Sequence, residues 1–192
     1  MRTLNYSILL LMMCVACACT GTGKRCLSFP QTNGSYCLQP TTAVTPFSVQ
    51  QKVEIQYKNR HEIMIADLEV NPQGLQFVTL TPLGQKILQI NDDNTTISQQ
   101  SLVTPPIDSA FLIGLLQLAL WPSDAINSGL KPPLTMTETA QTRMISSEDT
   151  AVVSIQYQDK SVPYQQLSIR LPQLSLSLDI SQLDESTEAD AQ

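Results

Sequence analysis

The twelve residues from Ala110 to Trp121 constrain this chain more than any others. They are apolar throughout, interrupted only by Gly114 and Gln117. Asp108 or Ser109 can accept hydrogen bonds from the first free N–H groups of a helix, and Pro122 cannot continue one, so a helix is predicted between them. A helix without a wet stripe is not a surface helix. It also falls short of the roughly 20 apolar residues needed to cross a bilayer. It must be buried on most sides or cover an apolar cavity. Phe111, Leu115, Leu118 and Trp121 recur at helical spacing, so they can share one face, and that face is the candidate lining of a ligand cavity.

On both sides of this segment the period changes from helical to alternating. Val53, Ile55 and Tyr57 alternate with Lys52, Glu54, Gln56 and Lys58, which predicts a strand with one dry face. Further strands are predicted at about Glu62–Val70, Leu75–Leu80 and Ile87–Ile90, with a fifth around Ile97. Asn71-Pro72-Gln73-Gly74, Pro82-Leu83-Gly84 and Asp92-Asp93-Asn94 separate them by turn chemistry. After the helix, a short turn at Asp124–Ser128 closes on Gly129. Alternation then returns at Leu134–Ala140, Arg143–Ser147, Val152–Tyr157, Leu167–Leu171 and Leu174–Ile180. Consecutive short strands with tight turns make an antiparallel meander. The expected fold is mainly β (α+β): an open, curved antiparallel half-barrel with a central apolar helical lid. Such a sheet encloses an apolar cavity suited to an acyl chain.

The N-terminus bounds the compartment. Arg2 precedes an apolar run from Ile8 to Ala16 that is too short to span a bilayer, which is the pattern of a secretory signal. Bacterial lipoprotein signals end in a small residue before the cysteine that receives diacylglycerol. Ala18-Cys19 fits, and so does Ala16-Cys17. Cys19 is preferred because it leaves the longer apolar run and is followed by Thr20-Gly21-Thr22-Gly23. The expected organisation is a signal peptide at 1–18, a tether at 19–47, a body at 48–183 and an acidic tail at 184–192. Neither cysteine is followed by Asp, the inner-membrane retention signal. Lipid-anchored residence in the outer membrane, facing the periplasm, is therefore expected. Diacylglycerol and an N-acyl chain on Cys19 would be covalent groups, and two or more acyl chains give stable attachment. No other cofactor is expected.

A net charge of −6 does not attract nucleic acid or anionic headgroups in bulk. Cys26 and Cys37 flank the turn-forming Asn33-Gly34, and an oxidising compartment favours a disulfide between them. No metal site is expected, because no second Cys or His pair lies near.

Two motifs carry a resemblance. Leu80-Thr81-Pro82-Leu83-Gly84-Gln85-Lys86 and Leu115-Leu116-Gln117-Leu118-Ala119-Leu120-Trp121-Pro122 resemble the signature of a lipoprotein family encoded in aryl polyene biosynthesis gene clusters of Gram-negative bacteria. That family is similar in turn to the LolA/LolB lipoprotein carriers, and LolB has an open antiparallel barrel with a helical lid over an apolar cavity. The resemblance implies a lipid or aryl polyene-type cargo. It also implies a membrane-inserting role for Leu83, which matches the exposed leucine of LolB's Pro-Leu-Gly turn. From the sequence alone, Leu83 packing on the sheet edge is an equal alternative.

Catalytic patterns are not found. His61 is the single histidine, and Ile63-Met64-Ile65 follows where a zinc-protease helix would need its second histidine. Gly21-Thr22-Gly23-Lys24 has no preceding strand to make a phosphate loop, and no Gly-x-Ser-x-Gly elbow occurs. A non-enzymatic lipoprotein is expected, one that places a lipid in the outer membrane. The alternative is an interaction protein that docks a membrane transporter or a biosynthetic enzyme.

Overall fold

The computed structural model describes residues 25–104, 107–158 and 164–183. The expected signal peptide, both candidate lipidation cysteines and the acidic tail lie outside these residues. The polypeptide forms β1 (Cys26–Ser28), β2 (Ser35–Cys37), β3 (Phe47–Tyr57), β4 (Arg60–Asn71), β5 (Gly74–Leu80), β6 (Lys86–Asp92) and β7 (Ile97–Ser101). Helices α1 (Ser109–Leu120) and α2 (Ser123–Gly129) follow. After them come β8 (Leu130–Lys131), β9 (Leu134–Glu138), β10 (Thr142–Ser147), β11 (Thr150–Tyr157), β12 (Gln166–Leu171) and β13 (Leu176–Gln182).

Ten strands make one antiparallel sheet in the order β7-β6-β5-β4-β3-β13-β12-β11-β10-β9. It consists of two five-stranded meanders. The first and last strands of the body zip them together, with Gln51 opposite Gln182 and Tyr57 opposite Leu176. Alternation drives each ladder: Val49, Val53 and Ile55 of β3, Ala66, Leu68 and Val70 of β4, and Leu176, Leu178 and Ile180 of β13 all enter one core. The edges β7 and β9 do not pair, so the sheet stays open.

Its curvature follows from what α1 touches. Ser109 at the start of α1 hydrogen-bonds Gln99 on β7, and the Leu118 carbonyl near its end accepts from Arg143 on β10. In a flat sheet those strands would be eight spacings, or about 38 Å, apart. The intervening helix is about 14 Å long. Only a curled sheet brings both strands to one short helix. The fold is thus mainly β, an open curved half-barrel with α1 inside it.

Three local readings change. The segment before Phe47 is not a free tether from Arg25 onward: β1, β2 and β8 form a second, three-stranded sheet, and Leu27, Phe29, Tyr36 and Cys37 are buried. Cys26 and Cys37 face each other across β1 and β2 and are joined by a disulfide. The final strand starts at Leu176 rather than Leu174, because Pro172–Leu174 form a 3-10 turn and Ser175 adopts the left-handed conformation at φ 48°. Strand β9 stops at Glu138 rather than Ala140, where the hydroxyls of Thr139 and Thr142 close the turn.

Candidate functional site

Helix α1 begins where expected, with the Asp108 carboxylate accepting from the N–H groups of Ala110 at 2.9 Å and Phe111 at 3.2 Å. Beyond that point it is enclosed from two sides. The sheet supplies one wall through the shared core, which includes Ile113, Leu115, Leu116, Leu118, Ala119 and Leu120. The segment from Arg25 to Pro40 supplies the other. Phe111 meets Phe29 edge to face at 5.6 Å. Gly114 lies so close to Leu27 that a Cβ there would come within 2.0 Å of its Cδ2. The Trp121 indole N–H donates to the Pro40 carbonyl at 3.2 Å.

Gln117, the one polar side chain in the apolar run, is fully buried and hydrogen-bonded through both its amide atoms. Its Oε1 accepts from the Tyr36 hydroxyl at 3.1 Å and the Gln39 N–H at 2.8 Å. Its Nε2 donates to the Gln39 carbonyl at 2.8 Å. A buried amide with these partners costs little and fixes the docking register of the N-terminal segment. Burial pushes the Tyr36 hydroxyl above its ordinary pKa, with nearby Arg143 opposing the rise.

The end of α1 is held by a residue that sequence reasoning passed over. Arg143 is only 3% exposed. Its Nη1 donates to the carbonyls of Leu118 at 2.7 Å and Trp121 at 3.0 Å, and its Nε and Nη2 reach Glu138 Oε1 at 3.1 and 2.8 Å. The guanidinium thereby satisfies carbonyls that the helix terminus leaves free and meets the negative end of its dipole. The Tyr157 hydroxyl adds a bond to the Ala119 carbonyl at 3.0 Å, and burial raises its pKa. Ile145, fully buried two residues along β10, was the available signal, since residues two apart share a strand face.

This packing decides where a ligand could sit. Leu115 and Leu118 are buried in the core, and neither they nor Phe111 lines any of the four clefts described for the surface. Trp121 is the one residue of the expected ligand face that does. It borders a cleft of about 550 Å³ together with Val44, Pro46, Phe47, Leu120 and Tyr164, with Arg143 at its wall. A second cleft of about 360 Å³ opens at the other end of α1, between Leu27, Leu38, Ile97 and Ala110.

Leu83 is 97% exposed, which removes the alternative of packing against the sheet edge. Its turn is well formed. The Gly84 N–H donates to the Thr81 carbonyl at 2.8 Å, the Thr81 N–H donates to the Gln85 carbonyl at 2.8 Å, and Gly84 takes φ 81° as glycine does readily. At the opposite end of β6 the chain is closed up. Arg25 pairs with buried Asp92, and Asn94 Oδ1 accepts from the Thr41 N–H at 2.7 Å. Asp93 beside them accepts from the Thr95 hydroxyl and from the Thr96 and Thr95 N–H groups, which hold its carboxyl well below the usual carboxylate range.

Among the described residues no three His, Cys, Asp or Glu side chains gather as metal ligands. His61 is exposed and lies 3.6 Å from Glu54. No helix among the described residues is long and apolar enough to cross a membrane.

Fold and site together define a class: an open antiparallel half-barrel closed over a buried apolar helix, with a mixed cleft at the helix end and one bare leucine on a sheet turn. The chain belongs to the family described as protein of unknown function (DUF3261), which matches residues 48–184. No curated protein matches the sequence.

Proposed function

We propose that this protein is a lipid-anchored carrier: an outer-membrane lipoprotein, acylated on Cys19, that holds an acyl or polyene-bearing lipid and helps place it in the outer membrane. The polyene character of the cargo and the kinship with LolB rest on the two sequence motifs. The observation that carries the reading is the cleft beside Trp121. Its volume falls within the range of about 300–1,000 Å³ common for small-molecule sites, and its lining is mostly apolar with one buried guanidinium behind it. That composition suits an apolar chain with a polar end. Transfer would proceed by apolar partition and need no covalent chemistry. Exposed Leu83 offers a contact with the bilayer worth about 1.5–3 kcal/mol when buried, enough to assist delivery but not to anchor.

Trp121 is the sole tryptophan, so its fluorescence reports directly on this cleft. A fluorescent fatty acyl probe should bind saturably with energy transfer from Trp121. Thr45→Glu, at the exposed cleft wall, should weaken that binding with unchanged thermal unfolding. No saturable probe binding by the wild-type protein, together with no lipid in an organic extract of protein from its native cell, would overturn the carrier reading.

The second reading, an interaction lipoprotein that docks a transporter or biosynthetic enzyme, draws on the open edge strand β7, whose Ser98, Gln99, Gln100 and Ser101 are exposed. An unpaired edge is a template for a partner's strand. A stable protein partner recovered with an empty cleft would favour it.

A further inference from the structure

The strand registers bring four separate apolar side chains to one end of the sheet. Leu80 of β5 pairs with Ile65 of β4 on one side and Lys86 of β6 on the other, so the Pro82-Leu83-Gly84 turn extends from the same level as Ile63. Ser101 of β7 pairs with Leu88, and the Leu102 N–H donates to the Ile87 carbonyl at 2.9 Å. Leu102 and Val103 therefore leave the sheet beside the start of β6, next to the same turn. The exposures are 97% for Leu83, 69% for Leu102, 57% for Val103 and 47% for Ile63. Met144 is the only other large apolar side chain exposed to this degree among the described residues, and it lies on β10 in the other meander.

Charge at this end runs against the balance of the chain. The β3–β4 hairpin outruns β5, leaving Arg60 to Met64 without a partner on that side. Lys58, Arg60 and Lys86 are exposed here and none is in an ion pair, Lys58 lying 5.0 Å over the Tyr57 ring and Lys86 donating to Gln89. The nearby acids are Glu54, which is engaged by Lys52 and His61, Asp179 opposite it on β13, which pairs with Arg170, and exposed Glu62. Of the other described basic residues, Arg25, Lys52, Arg143 and Arg170 are each paired with a carboxylate, and Lys131 donates to the Ser128 carbonyl. An acidic protein has thus left three cations unneutralised beside its largest group of exposed apolar side chains.

We propose that this end of the sheet docks onto an anionic lipid surface, with Leu83, Leu102 and Val103 entering the acyl boundary and Lys58, Arg60 and Lys86 meeting lipid phosphates. The proposal deepens the carrier reading, because it names the kind of membrane to which cargo would be delivered. Apolar insertion and basic attraction add in surface binding, and each basic residue near an anionic bilayer strengthens attachment about five-fold. The Leu102-Val103 pair gives Leu83 a second foothold, which fixes orientation as one point cannot.

The test uses residues 20–192, which retain every described residue and lack the lipidated cysteine. Co-sedimentation is measured with vesicles of phosphatidylcholine and with vesicles that also contain phosphatidylglycerol. Binding is expected on the phosphatidylglycerol vesicles and should weaken with salt. Leu102→Ser with Val103→Ser should reduce it at least ten-fold, and Lys58→Gln with Arg60→Gln and Lys86→Gln about a hundred-fold, both with unchanged thermal unfolding. No binding to phosphatidylglycerol vesicles overturns the proposal. So does equal binding to both vesicle types, undiminished binding by either variant, or self-association that both variants abolish. The carrier reading is judged separately by acyl-probe binding in vesicle-free solution, so a failed tip and an empty cleft are distinguishable.

Discussion

The two ends of β6 treat the same kinds of residue in opposite ways. At the Asp92 end an arginine is paired, an asparagine clamps a distant backbone, and the apolar side chains of the N-terminal segment are covered by α1. At the Lys86 end leucines face water, and Lys58, Arg60 and Lys86 have no carboxylate partner among the described residues. Stability explains most of the first arrangement, since its contacts remove apolar surface or satisfy polar groups, although Asp92 Oδ2 is buried without a hydrogen-bond partner among the described residues. It does not explain the second, where apolar surface is left in water on a turn that is otherwise well bonded. A group of apolar side chains exposed together without a stabilising role points to contact with something outside the chain.

The comparison breaks most completely at Arg143, which secures the closed side of the molecule. Arg143→Ala should destabilise by about 3–5 kcal/mol in urea unfolding, because it strips buried carbonyls and Glu138 of their common partner. Removing the disulfide by Cys26→Ser with Cys37→Ser comes next. It should cost about 3 kcal/mol in the chain-entropy view, and free-thiol counting on the unreduced wild-type protein should find neither thiol reactive.

The strands and the helix were legible because their signals are local. Alternation marks β3, and a capping carboxylate followed by an apolar run marks α1. The closure of α1 was not legible. Strands β1 and β2 are three residues each, too short to show a period, and what holds them lies far along the chain: Gln117 is 81 residues from Tyr36, and Asp92 is 67 from Arg25. The apolar face of Phe111, Leu115, Leu118 and Trp121 could be read, but its occupant could not. A helix buried by its own chain and one lining a cavity present the same sequence. Likewise Leu83 in a Pro-Leu-Gly turn gives no hint of its exposure until the neighbouring strand ends are placed.

Alkaline titration sharpens the contrast further. The folded-state pKa values of Tyr36 and Tyr157 are raised above the ordinary 10.0, so both bind protons more tightly folded than unfolded. Their contribution is fully present below pH 10 and is lost as pH rises above it. The loss should be at most about 1.4 kcal/mol per pH unit for each tyrosine. Tyr36→Phe with Tyr157→Phe should flatten that decline in unfolding measured from pH 9 to 12. The smallest effect is expected at the other pole: Leu83→Ser should leave stability within about 0.5 kcal/mol of wild type, as befits a side chain that touches nothing. A larger loss would mean that the turn is structural after all.

The position of Arg25 at one end of β6 and Leu83 beyond the other also sets a posture. Acyl chains on Cys19 would leave six residues of backbone before the folded body begins at Arg25, a leash of at most about 21 Å. Strand β6 alone runs about 20 Å from Asp92 to Lys86, with Leu83 further out. A molecule standing upright on that leash would hold its leucine tip away from the bilayer it hangs from. To rest both leash and tip on one bilayer, the body must tilt, because the leash is shorter than the reach from the Asp92 end of β6 to Leu83.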